Sequence, residues 1–174
     1  VDNGCFWRFS ESSAPICIDE GYLVPNGPEF DPKSGRVFLT DSGQRTIFKA
    51  ESRTLGSLDR KLFRSFEVEE GCPDGMTLDD RGHLWVAYWD GGCIRSLDPV
   101  SGQTLRQIDL PCRRPTSCAF GGANLDVLFV TSARLGLEPF LPEDGSLFSV
   151  HGLGVRGLPE AHFGSVGSGT AKKS

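Results

Sequence analysis

Short apolar runs, separated by turn residues, recur along the whole chain. Residues 36–41 and 83–87 are runs of this kind, and each has the length of a β-strand. Residues 63–67 and 104–108 alternate apolar and polar side chains, which is typical of exposed outer strands. Turn pairs such as Ser34-Gly35, Arg81-Gly82 and Ser101-Gly102 separate the runs. No segment has sustained helical periodicity, so the pattern predicts an all-β fold.

The strands are arranged in a repeat. Pro25, Pro73 and Pro115 begin three copies that are 48 and 42 residues apart. In each copy a first strand, a turn and a second strand follow one another, at 25–31 and 36–41, 73–79 and 83–87, and 115–121 and 127–131. Third strands are predicted at 46–49, 93–97 and 146–150. A period of about 40–50 residues with several short strands is typical of β-propeller blades.

The chain is predicted to begin in the middle of a blade. Residues 4–9 resemble the third strand at 92–97, and residues 15–18 follow as a fourth strand. We therefore expect about three and a half blades of a propeller, with two exposed flanks that favour self-association. A small complete β-sandwich suits the length, but the repeat register argues against it. Residues 1–163 are assigned to the propeller, and 164–174, rich in Ser, Gly and Lys, to a flexible tail.

Charge and cysteine content narrow the classes of function. The net charge is −5 and the basic residues form no run, so we expect no nucleic-acid partner. No apolar stretch approaches the roughly 20 residues of a membrane span, and we expect no membrane association. The six cysteines form no CxxC pair, and most lie within apolar runs. They are interpreted as reduced structural thiols of a cytoplasmic protein.

Candidate chemistry lies at the start of the first strand of each repeat. The innermost strands of a propeller line its central channel, so Asn26, Asp74 and Thr116, each one residue after the leading proline, are expected to converge. Carboxylate and amide oxygens suit a hard divalent cation. Asn-Gly and Asp-Gly are also among the commonest hairpin turns. On the residues alone, a metal site and a pair of turns remain about equally favoured.

Other candidate chemistry is weak. His83, His151 and His162 lie far apart, and His83 is expected to be solvated because it follows a turn. The sequence contains no GxSxG nucleophile elbow, no phosphate-binding loop and no HExxH motif.

Several segments in the same order resemble the senescence marker protein/gluconolactonase/regucalcin family of six-bladed propellers. The resemblance extends from about Gly4 to Phe163. Its strongest parts are Val24-Pro25-Asn26-Gly27-Pro28, Cys72-Pro73-Asp74-Gly75-Met76-Thr77, Gly82-His83-Leu84-Trp85-Val86-Ala87, Arg114-Pro115-Thr116-Ser117-Cys118-Ala119-Phe120-Gly121-Gly122, Val130-Thr131-Ser132-Ala133-Arg134, and Gly145-Ser146-Leu147-Phe148 with Gly152-Leu153-Gly154-Val155-Arg156-Gly157.

The resemblance implies a metal-dependent lactonase that opens sugar lactones. In this family one divalent ion (Ca²⁺, Zn²⁺, Mn²⁺ or Mg²⁺) is held by a glutamate of the first blade, an asparagine and an aspartate. Asn26 matches the asparagine and Asp74 the aspartate, and Asp74 is also the candidate catalytic base. The glutamate and the substrate-binding residues belong to a preceding segment, so activity is expected only in a full-length protein. The alternatives are a regucalcin-like calcium-binding regulatory protein without hydrolysis and an inactive half-propeller fragment.

Overall fold

The regular secondary structure of the described residues consists of β-strands and one short 3-10 turn. The computed structural model describes residues 4–10, 13–51 and 58–159. The strands within these residues are β1 Gly4–Ser10, β2 Ser13–Tyr22, β3 Pro25–Asp31, β4 Arg36–Asp41, β5 Thr46–Glu51, β6 Lys61–Ser65, β7 Cys72–Leu78, β8 Leu84–Trp89, β9 Cys93–Leu97, β10 Thr104–Asp109, β11 Pro115–Gly121, β12 Val127–Ser132 and β13 Leu147–Val150. A single 3-10 turn at Val68–Glu70 is the helical structure of the described residues.

The strands form four antiparallel sheets in the described part of the chain. Strands β1 and β2 form a two-stranded sheet, which we call the half-blade. The first blade is β3-β4-β5-β6, the second is β7-β8-β9-β10 and the third is β11-β12-β13. Each sheet follows chain order, as in a propeller blade. This arrangement confirms the prediction of an all-β fold built from propeller blades.

The second blade is buried on both faces because it packs between the first and third blades. In β8, Leu84, Val86 and Tyr88 belong to the core shared with the first blade. The intervening Trp85 and Ala87 belong to the core shared with the third blade. A strand that buries both faces needs apolar residues at successive positions, which explains the continuous run at 84–88.

The two outermost sheets lack such cover on one side. Phe9 of the half-blade is 63% exposed, and Leu147 of the third blade is 67% exposed. The other face of the half-blade is covered, because Tyr22 packs with Val37 and Leu39 of the first blade. The exposed flanks are consistent with the predicted self-association, which stays a prediction.

Residues 151–159 close the groove between the second and third blades. Leu153 and Val155 insert into the core between these blades. The main chain of this segment bonds to the second blade, where the Asp80 N–H donates to the Arg156 carbonyl at 2.7 Å. It also bonds to the third blade, since the Gly157 N–H donates to the Leu125 carbonyl at 2.8 Å.

Two local expectations were wrong. The strand expected at 63–67 lies at Lys61–Ser65, because Phe66 turns inward, is buried and donates its N–H to the Arg45 carbonyl. His83 is half-buried, not solvated: its Nδ1 lies 3.1 Å from Oδ2 of the buried Asp79. That carboxylate also accepts a hydrogen bond from Trp85 Nε1 at 2.9 Å. Asp79 thus ties the turn to the strand that follows it.

Two further expectations concern the C-terminal tail and membrane-spanning segments. The predicted tail at 164–174 lies outside the described residues. Among the residues that are described, no helix has the length and hydropathy needed to cross a membrane.

Candidate metal centre

The three innermost strands share a β-bulge close to the candidate position. Register shifts lie between Asn26 and Glu29 in β3, between Pro73 and Met76 in β7, and between Pro115 and Ser117 in β11. A bulge takes residues out of the regular ladder and changes the direction of their side chains. The candidate residues Asn26, Asp74 and Thr116 therefore lie at equivalent places in three successive blades, where the strand pairing is irregular.

Asn26 lies in β3 and faces Thr40 of β4. Its Nδ2 donates a hydrogen bond to Ser42 Oγ at 3.0 Å. This leaves the amide oxygen Oδ1, the atom that a hard cation would take. Gly27 follows at a φ of +79°, a conformation that favours glycine. The Asn-Gly pair thus builds a bulge within a strand and does not form a hairpin turn.

Asp74 lies at the equivalent place in β7, also within a strand and not in a hairpin turn. Its main-chain carbonyl accepts a hydrogen bond from Thr40 Oγ1 at 3.3 Å. The second strand of the first blade therefore contacts the bulge of the second blade. Position 74 is held from the neighbouring sheet as well as from its own.

Ser42 connects the two candidate residues across the blade interface. Its Oγ accepts from Asn26 Nδ2 at 3.0 Å and donates to the Pro73 carbonyl at 2.7 Å. Pro73 directly precedes Asp74 in β7. A single hydroxyl thus joins the Asn26 side chain to the main chain that positions Asp74. The structure brings the two predicted ligands to one region between adjacent innermost strands.

The second and third blades meet closely at the same level. A Cβ atom added to Gly75 would lie 2.2 Å from Ser117 Oγ and 2.6 Å from Ser117 Cβ. Such distances are far below van der Waals contact, so a side chain at position 75 would push β7 and β11 apart. The Asp-Gly pair is therefore required by the approach of two blades.

Burial changes the acidity of Asp74. Desolvation raises the pKa of its carboxyl group from 3.8 to about 6, and a hydrogen bond from the Gly75 N–H partly offsets that rise. Among the ion pairs of the described residues, none includes Asp74. A half-buried carboxylate without a cationic side chain is a suitable ligand for a bound cation, because the cation would offset the cost of desolvation. Asn26 and Asp74 therefore fit a divalent ion.

Thr116 occupies the third equivalent position, but its hydroxyl is engaged within its own blade. Thr116 Oγ1 lies 2.7 Å from Thr131 Oγ1 on β12. The hydroxyl of Thr116 thus bonds to β12 of its own blade, whereas the Asn26 side chain bonds to Ser42, which links it to the next blade.

Thr40, Ser42 and Ser117 were not found by sequence reasoning. Thr40 and Ser42 could have been found from the sequence. In an antiparallel pair, the end of the second strand lies beside the start of the first strand. Thr40 faces Asn26 in this way. The contacts of Ser42 with Pro73 and of Gly75 with Ser117 depend on blade packing, for which the sequence holds no local signal.

A surface pocket lies apart from the candidate residues. It has a volume of about 440 Å³ at the outer strands of the first blade, and its lining is Arg36, Lys49, Ala50, Glu51, Asp59, Lys61 and Val100. Neither Asn26 nor Asp74 lines it. The pocket therefore shares no residue with the candidate site.

The sheets and the site together define a class of protein. The chain is a partial β-propeller whose innermost strands bring Asn26 and Asp74 to one region between adjacent blades. The family model for the SMP-30/gluconolactonase/LRE-like region matches residues 1–134. The chain belongs to this family.

Similar proteins agree with this assignment. Pig (Sus scrofa) regucalcin is 45% identical over 163 residues, which cover 91% of this chain and 48% of that protein. Human regucalcin is 44% identical over 162 residues, which cover 91% of this chain and 47% of that protein. The chain thus spans about half the length of the curated relatives it matches.

Solved structures support the fold. A luciferin-regenerating enzyme aligns with a TM-score of 0.80 at 28% identity, covering 91% of this chain and 54% of its own. A calcium-binding regucalcin from Agrobacterium tumefaciens aligns with a TM-score of 0.81 at 24% identity, covering 90% of this chain and 55% of its own. A gluconolactonase from Xanthomonas campestris aligns with a TM-score of 0.62 at 28% identity, covering 73% and 41% respectively.

Proposed function

We propose that this chain supplies two ligands, Asn26 and Asp74, to the single divalent-metal site of a lactonase that hydrolyses a sugar lactone. The observation that supports the proposal most is the paired bulge, linked through Ser42, that presents a neutral amide and a desolvated carboxylate on adjacent innermost strands. Membership of a family that includes gluconolactonases supports the reaction class. The activity belongs to a full-length protein.

The metal would contribute one effect. A bound divalent ion polarises the ester carbonyl of the lactone and stabilises negative charge that develops on its oxygen. The oxygen donors of Asn26 and Asp74 favour the harder ions Ca²⁺, Mg²⁺ and Mn²⁺ over Zn²⁺.

Asp74 is the proposed general base. In the metal-free chain burial raises its pKa to about 6, so the group is still an ionised carboxylate at neutral pH and can accept a proton from water. The water oxygen forms a bond to the carbonyl carbon, and the bond from that carbon to the ring oxygen breaks. The ring oxygen then takes a proton, so that the product is the open-chain hydroxy acid. The Ser42 and Thr40 hydrogen bonds keep the main chain at Asp74 in place during these steps.

A second candidate function uses the same residues. The relatives with about 44% identity are regucalcins, and the Agrobacterium relative is a calcium-binding protein. A calcium-binding regulatory role without hydrolysis would need the same Asn26 and Asp74 oxygens. The two functions differ in turnover and not in ligand binding.

The cysteines bear on the cellular compartment of the protein. All six cysteines lie in the described part of the chain, none of them forms a disulfide bond there, and three of them are buried. Buried reduced thiols support residence in a reducing compartment such as the cytoplasm.

The test measures metal binding and lactone turnover together. Mn²⁺ binding is followed by electron paramagnetic resonance, and acid release from glucono-1,5-lactone is followed after chelation and after return of Ca²⁺, Zn²⁺, Mn²⁺ or Mg²⁺. We expect Asp74→Asn to abolish metal-dependent turnover in the full-length protein and to weaken Mn²⁺ binding in the chain. The control Asp59→Asn changes a carboxylate whose side chain is 91% exposed, and it should alter neither readout.

Two outcomes would contradict the lactonase proposal. Metal-dependent turnover that survives Asp74→Asn would remove Asp74 from the reaction. Stoichiometric Ca²⁺ binding without turnover of any lactone by the full-length protein would favour the regulatory role.

A further inference from the structure

The half-blade carries a second group of potential metal ligands, separate from Asn26 and Asp74. The Sγ atoms of Cys5 and Cys17 and a carboxylate oxygen of Glu20 all lie within 4.8 Å of one another. Within the ranges that the structure describes, this is the one place where three or more His, Cys, Asp or Glu side chains come together in this way. None of the three residues takes part in the proposed lactonase site.

Strand pairing brings the three residues together. Cys5 of β1 faces Glu20 of β2, and Trp7 faces Cys17. A register shift between Phe6 and Trp7 leaves an extra residue on β2. The irregularity allows Cys17 and Glu20, three positions apart, to approach the same partner on β1.

The half-blade is anchored beside this group. Tyr22 and Phe6 stack edge to face, with ring centroids 4.8 Å apart, and pack onto the first blade. Arg60 Nη1 bonds to Asp19 Oδ1 at 2.7 Å and to the main-chain carbonyl of Glu20 at 2.7 Å. These contacts fix β2 at residues 19–22, while the Glu20 side chain remains exposed.

The electrostatics of the group favour a cation. Desolvation raises the pKa of the Cys5 thiol, and the neighbouring Cys17 and Glu20 raise it further. The neighbouring thiol and carboxylate therefore disfavour the thiolate form of Cys5. A divalent cation between them would reverse that effect, because each ligand then gains an opposite charge.

We propose that Cys5, Cys17 and Glu20 form a binding site for a thiophilic divalent ion of the zinc type. Zinc–sulfur bonds of about 2.3 Å and zinc–oxygen bonds of about 2.0–2.2 Å place ligand atoms roughly 3–4 Å apart, so a small rotation of the side chains contracts the group. Two thiolates select against Ca²⁺ and Mg²⁺, which prefer oxygen. Three protein ligands leave a fourth tetrahedral position for water or another donor. Binding releases the two thiol protons.

Cobalt provides a direct probe. The whole chain, fully reduced and freed of metal, is titrated with Co²⁺ under anaerobic conditions, and thiolate-to-cobalt charge-transfer absorption is recorded. We expect one equivalent of Co²⁺ to bind with this absorption and Zn²⁺ to displace it. Cys5→Ser and Cys17→Ser should each remove the absorption, and Glu20→Gln should weaken binding about tenfold or more. Far-ultraviolet circular dichroism checks that each variant stays folded.

Two controls separate this site from the others. Cys72→Ser removes a half-buried thiol of β7 and should leave the cobalt spectrum unchanged. Asp74→Asn should also leave the cobalt spectrum unchanged, although it weakens Mn²⁺ binding at the proposed lactonase site.

Absence of charge-transfer absorption in the reduced, folded chain would overturn the proposal, as would absorption that persists in both cysteine variants. Oxidation of Cys5 and Cys17 to a disulfide without Co²⁺ binding by the reduced form would assign the pair to redox chemistry instead.

Discussion

The cost of burying Asp74 can be measured directly by replacing it with asparagine. In the metal-free protein the carboxylate at position 74 has lost part of its hydration and is not paired with a cation among the described ion pairs. Asparagine keeps nearly the same size and carries no charge. We therefore expect Asp74→Asn to increase the free energy of unfolding at neutral pH, although it destroys the proposed metal site.

The size of the effect follows from the pKa. Burial raises the pKa of Asp74 from 3.8 to about 6, and each pH unit corresponds to about 1.4 kcal/mol, so the full difference is about 3 kcal/mol. Solvent screens part of this cost because the side chain is only half-buried, and we expect a gain of about 1–2 kcal/mol at pH 7. Below pH 3.8 both the folded and unfolded chains hold the proton and the cost vanishes. It grows as the pH rises towards 6 and is constant above that value.

Urea unfolding with a chelator, at pH 7 and at pH 4, provides the assay. The stabilisation by Asp74→Asn should fall to about a few tenths of a kcal/mol at pH 4. The exposed control Asp59→Asn should stay within about 0.5 kcal/mol of the parent at both values. A variant that is no more stable than the parent at pH 7, or whose gain does not depend on pH, would refute the desolvation argument.

Three further changes test packing and hydrogen bonding within the blades and at the half-blade flank. Gly75→Ala should lower the free energy of unfolding by about 2 kcal/mol or more, because the new methyl group overlaps Ser117, and the loss is measured by urea unfolding. Asp79→Ala should cost about 2–4 kcal/mol, because the buried Trp85 Nε1 and two main-chain N–H groups lose their acceptor, and thermal unfolding followed by tryptophan fluorescence records it. Phe9→Lys should weaken self-association through the half-blade flank, measured as a lower average mass in sedimentation.

Each of these changes has a matched control. Adding Ser117→Gly to Gly75→Ala should restore part of the lost stability, and no restoration would contradict the proposed overlap. Asp126→Ala alters an exposed aspartate and should change stability by less than about 0.5 kcal/mol. Leu105→Lys places the same charge on an exposed outer strand, and a mass change as large as that of Phe9→Lys would show that the flank is not specific.

The strands were predictable because each blade repeats one local pattern. Residues 25–31, 36–41 and 115–121 were predicted with the bounds that the structure has. Where a side chain rather than the strand pattern decides the geometry, the prediction was wrong. Phe66 turns into the core and ends β6 early, and Asp79 draws His83 out of solvent.

The candidate site was predictable in part. The repeat placed Asn26 and Asp74 at equivalent positions, and the structure adds the bulges and the Ser42 link between them. Ser42 was missed because its partner Pro73 lies in the next blade, 31 residues away. A related reason explains why the group of Cys5, Cys17 and Glu20 was missed. A register shift within the half-blade brings these side chains together, and the spacing of the cysteines in the sequence does not reveal that shift.

The aligned bulges also bear on how such a site changes over evolutionary time. Residues in a bulge make few ladder hydrogen bonds, so their side chains can be exchanged with little loss to the sheet. Asn26, Asp74 and Thr116 already show three different residue types at one structural position. The residue at this position can therefore differ from one blade to the next while the strand pairing of each blade stays the same.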